Sequence, residues 1–311
     1  MDVSSEMIHA LLPVYLVDVL GVSFVEVGWI EGIAEATASI VKIFSGAVSD
    51  WFGRPKLLAV SGYGLAALVK PIFPLAGGAG GIVAARFLDR VGKGIRGAPR
   101  DALVASISPP NLLGASIGLR QALDTVGAFL GPLAAVALMW ATADSYRAVF
   151  WVAVLPAFLA VAVLAFGVRE PERTGRAGQF PLRWSEMKQL GPAFLRVAAI
   201  AAVFGLARFS EAFLILKAQA VGLPVALAPL VLVLMNAIYA AAAYPVGALS
   251  DIVGRRGLLA LGMGALIAAD ATLAFAGGLW LAGLGIALWG LHMGLTQGLL
   301  SALVADATPQ G

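Results

Sequence analysis

The stretch GAVSDWFGRPKLLA, residues 46–59, recurs with few changes as GALSDIVGRRGLLA at residues 247–260. Farther along each copy, ALVA at 102–105 returns at 302–305. Matches that keep nearly the same offset over such a distance indicate that the chain contains two copies of one unit. The sequence therefore predicts a fold made of two similar halves.

Composition indicates the solvent in which these halves fold. The chain has 311 residues, of which 60% are hydrophobic and only 13% are charged, and its mean hydropathy is +0.91. Soluble domains are roughly 45–50% apolar and about 25% charged. Lipid must therefore surround most of the chain. The absence of cysteine excludes disulfides and thiolate metal sites, and no basic region precedes the first apolar run as in a cleavable signal peptide.

Apolar runs long enough to cross a bilayer as helices occur ten times. We number them segments 1–10 in chain order. They cover residues 3–20, 24–48, 57–76, 79–105, 112–140, 146–167, 193–219, 224–249, 257–275 and 279–305. The sequence thus predicts an all-α polytopic membrane protein. Its domains would be an N-terminal six-helix bundle (1–168), a polar linker (169–190) and a C-terminal bundle (191–311).

The internal repeat also predicts how many helices a complete copy has. The first copy continues beyond Pro109 with segments 5 and 6, whereas the second ends at Gly311. We therefore expect two pseudo-symmetric six-helix bundles of which the last two helices are missing. The first segment is short and begins with DVSSEMIH, so we also expect its outer turns to be missing.

Lysine and arginine are distributed unequally among the connections. Three connections (49–56, 168–190 and 251–256) hold nine of these residues, and the connections on the opposite side hold only Arg147. Because cytoplasmic loops are enriched in basic residues, this asymmetry predicts a cytoplasmic linker in a protein of the plasma membrane. The net charge of +3 is thus explained by the basic residues of cytoplasmic loops. No nucleic-acid partner is predicted.

The most charged stretch, RFLDRVGKGIRGAPRD at 86–101, lies inside segment 4. Its counterpart in segment 10 is one uninterrupted apolar run, so the repeat predicts a single helix here. At 100° per residue all seven charges fall on one face about 140° wide. Each base facing lipid would cost roughly 2.5–3.5 kcal/mol, so this face must meet a wet interior or acidic partners.

That stretch also contains G-x-G-x-x-G, the pattern of a dinucleotide-binding loop. Such a loop requires a preceding strand and a βαβ unit, whereas here a membrane helix precedes. We interpret Gly92, Gly94 and Gly97 instead as positions where neighbouring helices approach closely.

With these motifs the chain resembles the major facilitator superfamily (MFS) of transporters, in a poorly characterised bacterial branch. Both copies of GAxSDxxGR resemble the family's loop motif between helices 2 and 3 and between helices 8 and 9. GAFLGPLAA at 127–135 resembles its helix-5 motif, and Arg86 stands at the position of its helix-4 arginine. The resemblance implies a central cavity lined by segments 1, 2, 4, 5, 7, 8 and 10, and a mechanism of alternating access.

Candidate site residues follow from these motifs and from the polar positions of the inner segments. For substrate binding they are Arg86, Arg90, Lys93, Arg120, Arg208, His292 and Gln297. For ion coupling they are Glu31, Glu35, Asp89, Asp124 and Glu211. The residues predicted for the gating loops are Asp50, Gly53, Arg54, Asp251, Gly254 and Arg255. Those predicted for the gate are Arg96 and Arg100. Those of the helix-5 motif are Gly127, Gly131 and Pro132.

Most of these positions have a structural alternative. The bases of segment 4 could form an ion-pair network with Glu31 and Glu35 rather than bind an anion. The loop motifs could be simple capped turns, and His292 and Gln297 could be packed rather than in contact with a ligand. Lys70 lies near a helix end, where we expect it to be solvated.

The sequence predicts a secondary active transporter of a small, anionic or zwitterionic solute, driven by a proton or counter-substrate gradient. Its partners would be the solute, the coupling ion and the lipid bilayer, and the protein would act as a monomer without a cofactor or metal. The alternative is a non-transporting membrane protein, a receptor, assembly subunit or inactive copy on the same scaffold. No enzyme is predicted, because no nucleophile with a base and no metal-ligand cluster is recognisable.

Overall fold

The computed structural model describes residues 1–109, 112–169 and 192–307. Within its helices the side chains of 113–115, 192–194, 248, 251–253, 255–256, 301–302 and 304–307 are not described. Most of the predicted linker, 170–190, therefore lies outside the described residues.

The described part of the chain is helical and contains no strand. Segments 1–6 comprise Asp2–His9, Leu12–Val14 and a π-helical turn Tyr15–Val19; Phe24–Phe52; Pro55–Val69 and Ile72–Leu75; Ala79–Ile107; Leu113–Ala141; and Tyr146–Gly167. Segments 7–10 comprise Pro192–Ala207 and Ala212–Ala220; a 3₁₀ turn Val225–Leu227 and Leu230–Val253; Arg255–Ala274; and Leu279–Ala307. The predicted fold class is thereby confirmed, and the charged stretch 86–101 lies within one helix.

Four segments that the apolar pattern predicted as continuous are interrupted, among them segment 8, whose 3₁₀ turn Val225–Leu227 is separate from the helix that follows. Segment 1 breaks after His9, and segment 3 breaks at Lys70, where the following Pro71 cannot continue the hydrogen-bonding ladder. Segment 7 breaks between Ala207 and Ala212 without a proline or glycine at the break, and the Ser210 hydroxyl accepts a hydrogen bond from the Ala212 amide at 3.3 Å. This last interruption has no local signal in the sequence.

The chain divides into two compact units, Met1–Leu182 and Arg183–Gly311. In unit 1, segment 4 packs between segments 2 and 3, while segment 1 packs on segments 5 and 6. In unit 2, segment 10 packs between segments 8 and 9 and also contacts segment 7. The 2–4–3 arrangement of unit 1 thus has its counterpart in the 8–10–9 arrangement of unit 2.

Equivalent glycines allow the close contacts in both units. A methyl group at Gly94 would lie 2.6 Å from Val41 Cβ on segment 2, and one at Gly294 would lie 2.6 Å from Ala242 Cβ on segment 8. Gly94 and Gly294 are 200 positions apart, and Val41 and Ala242 are 201 apart. The repeat seen in the sequence is therefore a repeat of helix contacts, and small residues let the helix backbones approach.

The loop motif folds as a tight turn in unit 1. Gly53 adopts a left-handed conformation with φ +60° after the last residue of segment 2, and its amide donates to the Ser49 carbonyl at 2.9 Å. Pro55 then begins segment 3, at a helix position where no amide donor is needed. Gly254 also has a positive φ, +85°, between segments 8 and 9.

Seven helices of the described part are long and apolar enough to cross a membrane: Pro55–Leu75, Ser116–Ala141, Tyr146–Gly167, Leu195–Ala220, Val225–Gly247, Gly257–Ala274 and Leu279–Leu300. They belong to segments 3 and 5–10. This confirms a multi-pass membrane protein, and the exact number of spanning helices stays a prediction.

Candidate functional site

The charged face of segment 4 is buried inside unit 1. Arg86, Asp89, Arg90 and Arg96 each have no more than 5% of their surface exposed. Arg86 makes a two-pronged contact with Glu31 of segment 2, with Nε donating to Oε1 at 3.1 Å and Nη2 to Oε2 at 2.6 Å. A bidentate pair of this kind is strong and geometrically specific, so it locks segments 2 and 4 together.

Arg90 extends this network along the same two helices. Its Nη1 lies 3.0 Å from the Glu35 carboxylate, whose side chain is 54% exposed. His9 of segment 1 contacts both guanidinium groups, through Nε2 for Arg86 and through Nδ1, at 3.5 Å, for Arg90. The ion-pair alternative for Arg86 and Arg90 therefore has direct geometric support.

Lys70 joins the network from segment 3. Its Nζ lies 3.0 Å from Asp89 Oδ1 and donates to Ser5 Oγ at 3.1 Å. The side chain is fully buried, with 0% exposure, so the expectation that Lys70 is solvated was wrong. The helix break at Lys70 does not lie at an aqueous surface, and in this buried setting the Asp89 carboxylate compensates the ammonium charge.

Arg96 contacts two further helices. Its Nη2 lies 3.9 Å from Asp2 of segment 1, and its guanidinium lies over the Tyr63 ring, 4.8 Å from the centroid. The helix-5 motif makes the position of Asp2 possible, because a methyl group at Gly127 would lie 2.9 Å from Asp2 Cβ. Gly131 brings segment 5 equally close to Glu6.

A second, more exposed group of charges joins segments 4 and 5. Arg120 Nη1 lies 2.5 Å from Asp124 and its Nε lies 3.5 Å from Asp101. Arg100 lies 3.4 Å from both of these carboxylates. Four charges of alternating sign therefore neutralise one another, and all four remain partly exposed.

Lys93 differs from the other four bases of segment 4. Its side chain is exposed, and it forms no ion pair with any described residue. Glu35 and Glu6 lie near enough to attract it electrostatically. Lys93 is thus the one base of segment 4 that lies beyond ion-pair distance of every described carboxylate.

In unit 2 a smaller polar cluster surrounds the break in segment 7. Arg208 lies at that break, partly exposed, and its Nη2 donates to the thioether of Met293, to which Gln297 Nε2 also donates at 3.3 Å. Glu211 and Tyr239 interact electrostatically with the guanidinium. We call Arg208, Glu211, Tyr239, Met293 and Gln297 the segment-7 cluster.

His292 lies deeper than this cluster. It is fully buried, its Nδ1 lies 2.8 Å from the Gly262 carbonyl oxygen of segment 9, and its ring stacks on Phe204. Within the described part of the chain, its Nε2 and the indole nitrogen of the equally buried Trp289 have no hydrogen-bond partner. The packed surroundings favour a structural role for His292, and its role in binding stays a prediction.

The gating residues are only partly described. Asp50 and Arg54 are exposed at the turn after segment 2, whereas the side chains of Asp251 and Arg255 lie outside the described residues. The tight turn is present as expected, and its gating role stays a prediction.

The structure brings the predicted residues together in three groups, of which the group between segments 4 and 5 holds Arg100, Arg120 and Asp124. The segment-4 network holds Arg86, Asp89, Arg90, Glu31 and Glu35, and the segment-7 cluster holds Arg208, Glu211 and Gln297. Sequence reasoning missed His9 and Lys70 as network members. The available signals were a histidine at the end of the polar stretch DVSSEMIH and a lysine within the apolar run of segment 3. No group of residues suited to hold a metal ion occurs in the described ranges.

Two helical units with repeated contacts, seven helices long and apolar enough to cross a membrane, and buried ion pairs within unit 1 define a polytopic membrane protein. The sequence profile of the Major Facilitator Superfamily matches residues 1–311. The chain belongs to that family.

Two relatives show how far the similarity extends. An uncharacterized MFS-type transporter of Methanocaldococcus jannaschii is 32% identical over 271 residues, which are 84% of this chain and 66% of the relative. An uncharacterized protein of Mycobacterium tuberculosis is 30% identical over 154 residues, 50% of this chain and 38% of that protein. The chain spans less than two thirds of the length of these relatives.

Solved structures confirm the fold. A bacterial homolog of the human lysosomal transporter Spinster, inward-facing and unoccupied, superposes with a TM-score of 0.68 at 17% identity, covering 98% of this chain and 76% of the other. A POT family transporter in complex with 5-aminolevulinic acid gives a TM-score of 0.71 at 13% identity, covering 99% and 82%. Identities this low establish the shared MFS fold alone.

Proposed function

We propose that the protein is a secondary active transporter of a small anionic or zwitterionic solute, working by alternating access. The family and the fold support the transporter class. The observation that carries the solute class is the distribution of unpaired positive charge. Among the five arginines and lysines predicted to bind substrate, Lys93 and Arg208 are the two without an ion pair to a described residue, one in each unit.

A charged side chain without a counter-ion is costly in a membrane-embedded bundle and is a mark of function. Four of the five bases of segment 4 are paired with carboxylates. These pairs stabilise the helix bundle and contribute to the electrostatic potential inside it. Lys93 and Arg208 remain to meet a negatively charged group of the solute. Arg86, Arg90, Arg120, His292 and Gln297 then act mainly by holding the site, and the glycine turns at Gly53 and Gly254 allow gating.

Transport is driven by a gradient of protons or of a counter-substrate. Proton coupling requires a carboxylate that is accessible in one state and compensated by a base in another. Glu35 fits this requirement best, because it is half-exposed while contacting Arg90. Glu31, Asp89, Asp124 and Glu211 are the further candidates, of which Glu31 and Asp89 are buried in pairs.

The test is solute flux by the full-length protein in proteoliposomes. We expect saturable uptake of at least one compound from a panel of amino acids, mono- and dicarboxylates and phosphate, and expect an inward proton gradient or a preloaded counter-substrate to accelerate it. Lys93→Gln should raise the KM, whereas Arg147→Gln, at an exposed base near the start of segment 6, should not. Binding of a panel compound without flux would instead identify a non-transporting membrane protein.

A further inference from the structure

Arg208 has surroundings unlike those of the other buried or half-buried arginines described. Arg86, Arg90, Arg96, Arg100 and Arg120 each lie within ion-pair distance of at least one carboxylate. Arg208 forms no ion pair with a described residue, and its hydrogen bond goes to the sulfur of Met293. A thioether is a weak acceptor, so it satisfies a guanidinium poorly.

The position of Arg208 makes this arrangement more unusual. The residue lies where segment 7, a candidate membrane-crossing helix, is interrupted between Ala207 and Ala212. Backbone that is not helical is tolerated at membrane depth where it is covered by protein or lines a water-filled cavity. Arg208, Ser210 and Glu211 are all partly exposed, as expected for a break that lines such a cavity.

Two further members of the segment-7 cluster, Gln297 and Tyr239, supply groups that can form hydrogen bonds with a ligand. Gln297 shares the Met293 sulfur with Arg208, and Tyr239 lies close enough to interact electrostatically with the guanidinium. The fork of an arginine matches the two oxygens of a carboxylate. A phenol and an amide can hold neighbouring polar atoms of the same ligand.

The charge balance of the cluster limits the ligand further. Arg208 contributes one positive charge and Glu211 one negative charge, and no second base of the described chain lies in the cluster. A dianionic phosphate would bring more negative charge than the cluster compensates. A zwitterion that carries a carboxylate leaves the net charge of the cluster at zero, and a monocarboxylate adds one negative charge, against two for the phosphate dianion.

We propose that Arg208, supported by Tyr239 and Gln297, binds the carboxylate group of the transported solute. This inference rests on the proposed transport function and narrows its substrate class to carboxylate-bearing solutes. Lys93 is then an accessory base, whose charge Glu35 and Glu6 already attract.

The first test is ligand binding by the purified full-length protein, read as a shift of the melting temperature. The probes are acetate, benzoate, succinate and phenylalanine, each compared with its neutral amide or, for phenylalanine, with phenylalaninamide. We expect at least one carboxylate, and not its amide, to raise the melting temperature. Arg208→Gln should abolish that shift, Arg208→Lys should weaken it about tenfold in apparent affinity, which corresponds to roughly 1.4 kcal/mol, and Arg147→Gln, at an exposed base outside the candidate site, should retain it.

The second test needs no ligand. Because Arg208 forms no ion pair with a described residue, Arg208→Gln should leave the melting temperature of the ligand-free protein unchanged or raise it. Arg86→Gln, which strands the buried Glu31 carboxylate, should lower it by several degrees. Equal destabilisation by the two changes would make Arg208 a structural residue and overturn the inference.

The remaining outcomes also decide the question. Loss of the carboxylate shift in Lys93→Gln with retention in Arg208→Gln overturns the inference, as does the absence of any carboxylate-specific shift in the unaltered protein. Flux that continues with unchanged KM in Arg208→Gln refutes the inference alone. Failure of flux for every solute of the transport panel refutes the transport proposal instead.

Discussion

At the residue scale, Lys70 shows how a single side chain connects three helices. Its ammonium group lies on segment 3, its counter-ion Asp89 on segment 4 and its hydrogen-bond acceptor Ser5 on segment 1. All three residues are buried. The desolvation of two charges is offset by their mutual attraction, whereas removal of one leaves the other uncompensated.

Lys70→Met should therefore destabilise the protein by about 3–5 kcal/mol, because Asp89 would remain buried and charged without its partner. Asp89→Asn should cost a similar amount, and the double variant should recover most of the loss. Thermal denaturation of the purified protein measures all three.

Lys42→Met is the matched control. Lys42 is exposed on segment 2, so its replacement should change the free energy of unfolding by less than about 0.5 kcal/mol. Additive losses in the Lys70–Asp89 double variant would show that the two residues do not act as a pair.

At the element scale, glycines determine how closely helices pack. Gly62 of segment 3 lies against segment 4, where a methyl group would be 2.7 Å from the Arg96 amide nitrogen and 2.8 Å from the Gly92 carbonyl oxygen. Gly64, two residues later, has open space around its position. The same contrast recurs between Gly262, against Thr296 and Leu295, and Gly264.

Gly62→Ala should destabilise the protein by about 1–3 kcal/mol, since backbone atoms cannot move aside for the added methyl group. Gly262→Ala should cost less, because its nearest neighbours are side-chain atoms of Thr296 and Leu295. The melting temperature of each variant measures these effects.

The neighbouring glycines provide internal controls. Gly64→Ala and Gly264→Ala should be neutral or stabilise by up to about 1 kcal/mol, because alanine favours a helix more than glycine does. If Gly62→Ala were as stable as Gly64→Ala, segments 3 and 4 would not be in the close contact described.

At the scale of the whole molecule, membrane orientation follows from the distribution of basic residues. The turn that contains Arg54 and the connection that contains Arg147 are predicted to lie on opposite sides of the membrane. Both side chains are exposed. The chain contains no cysteine, so any cysteine introduced into it is a unique chemical label.

A membrane-impermeant maleimide applied to intact spheroplasts should label Arg147→Cys and spare Arg54→Cys. Labelling after permeabilisation should be equal in the two variants, which controls for expression and reactivity. The reverse pattern would place the turn after segment 2, and with it the linker, outside the cytoplasm.

Several features could be predicted from the sequence because local patterns specify them. The repeat predicted two similar halves, hydropathy predicted the membrane class, and the glycine of the loop motif indicated the tight turn at Gly53. The 100° helical period placed the charges of segment 4 on one face. Each of these features can be read from the composition, from a local motif or period, or from comparing two stretches of the same sequence.

Tertiary structure alone decided which charges meet. Glu31 and Arg86 are 55 positions apart, and Asp2 and Arg96 are farther apart still. A periodic pattern shows which face of a helix a charge occupies but not which residue of another helix lies opposite it. The burial of Lys70, the interruption of segment 7 and the unpaired state of Arg208 among the described residues arise from the packing of neighbouring helices, and no local pattern of residues encodes that packing.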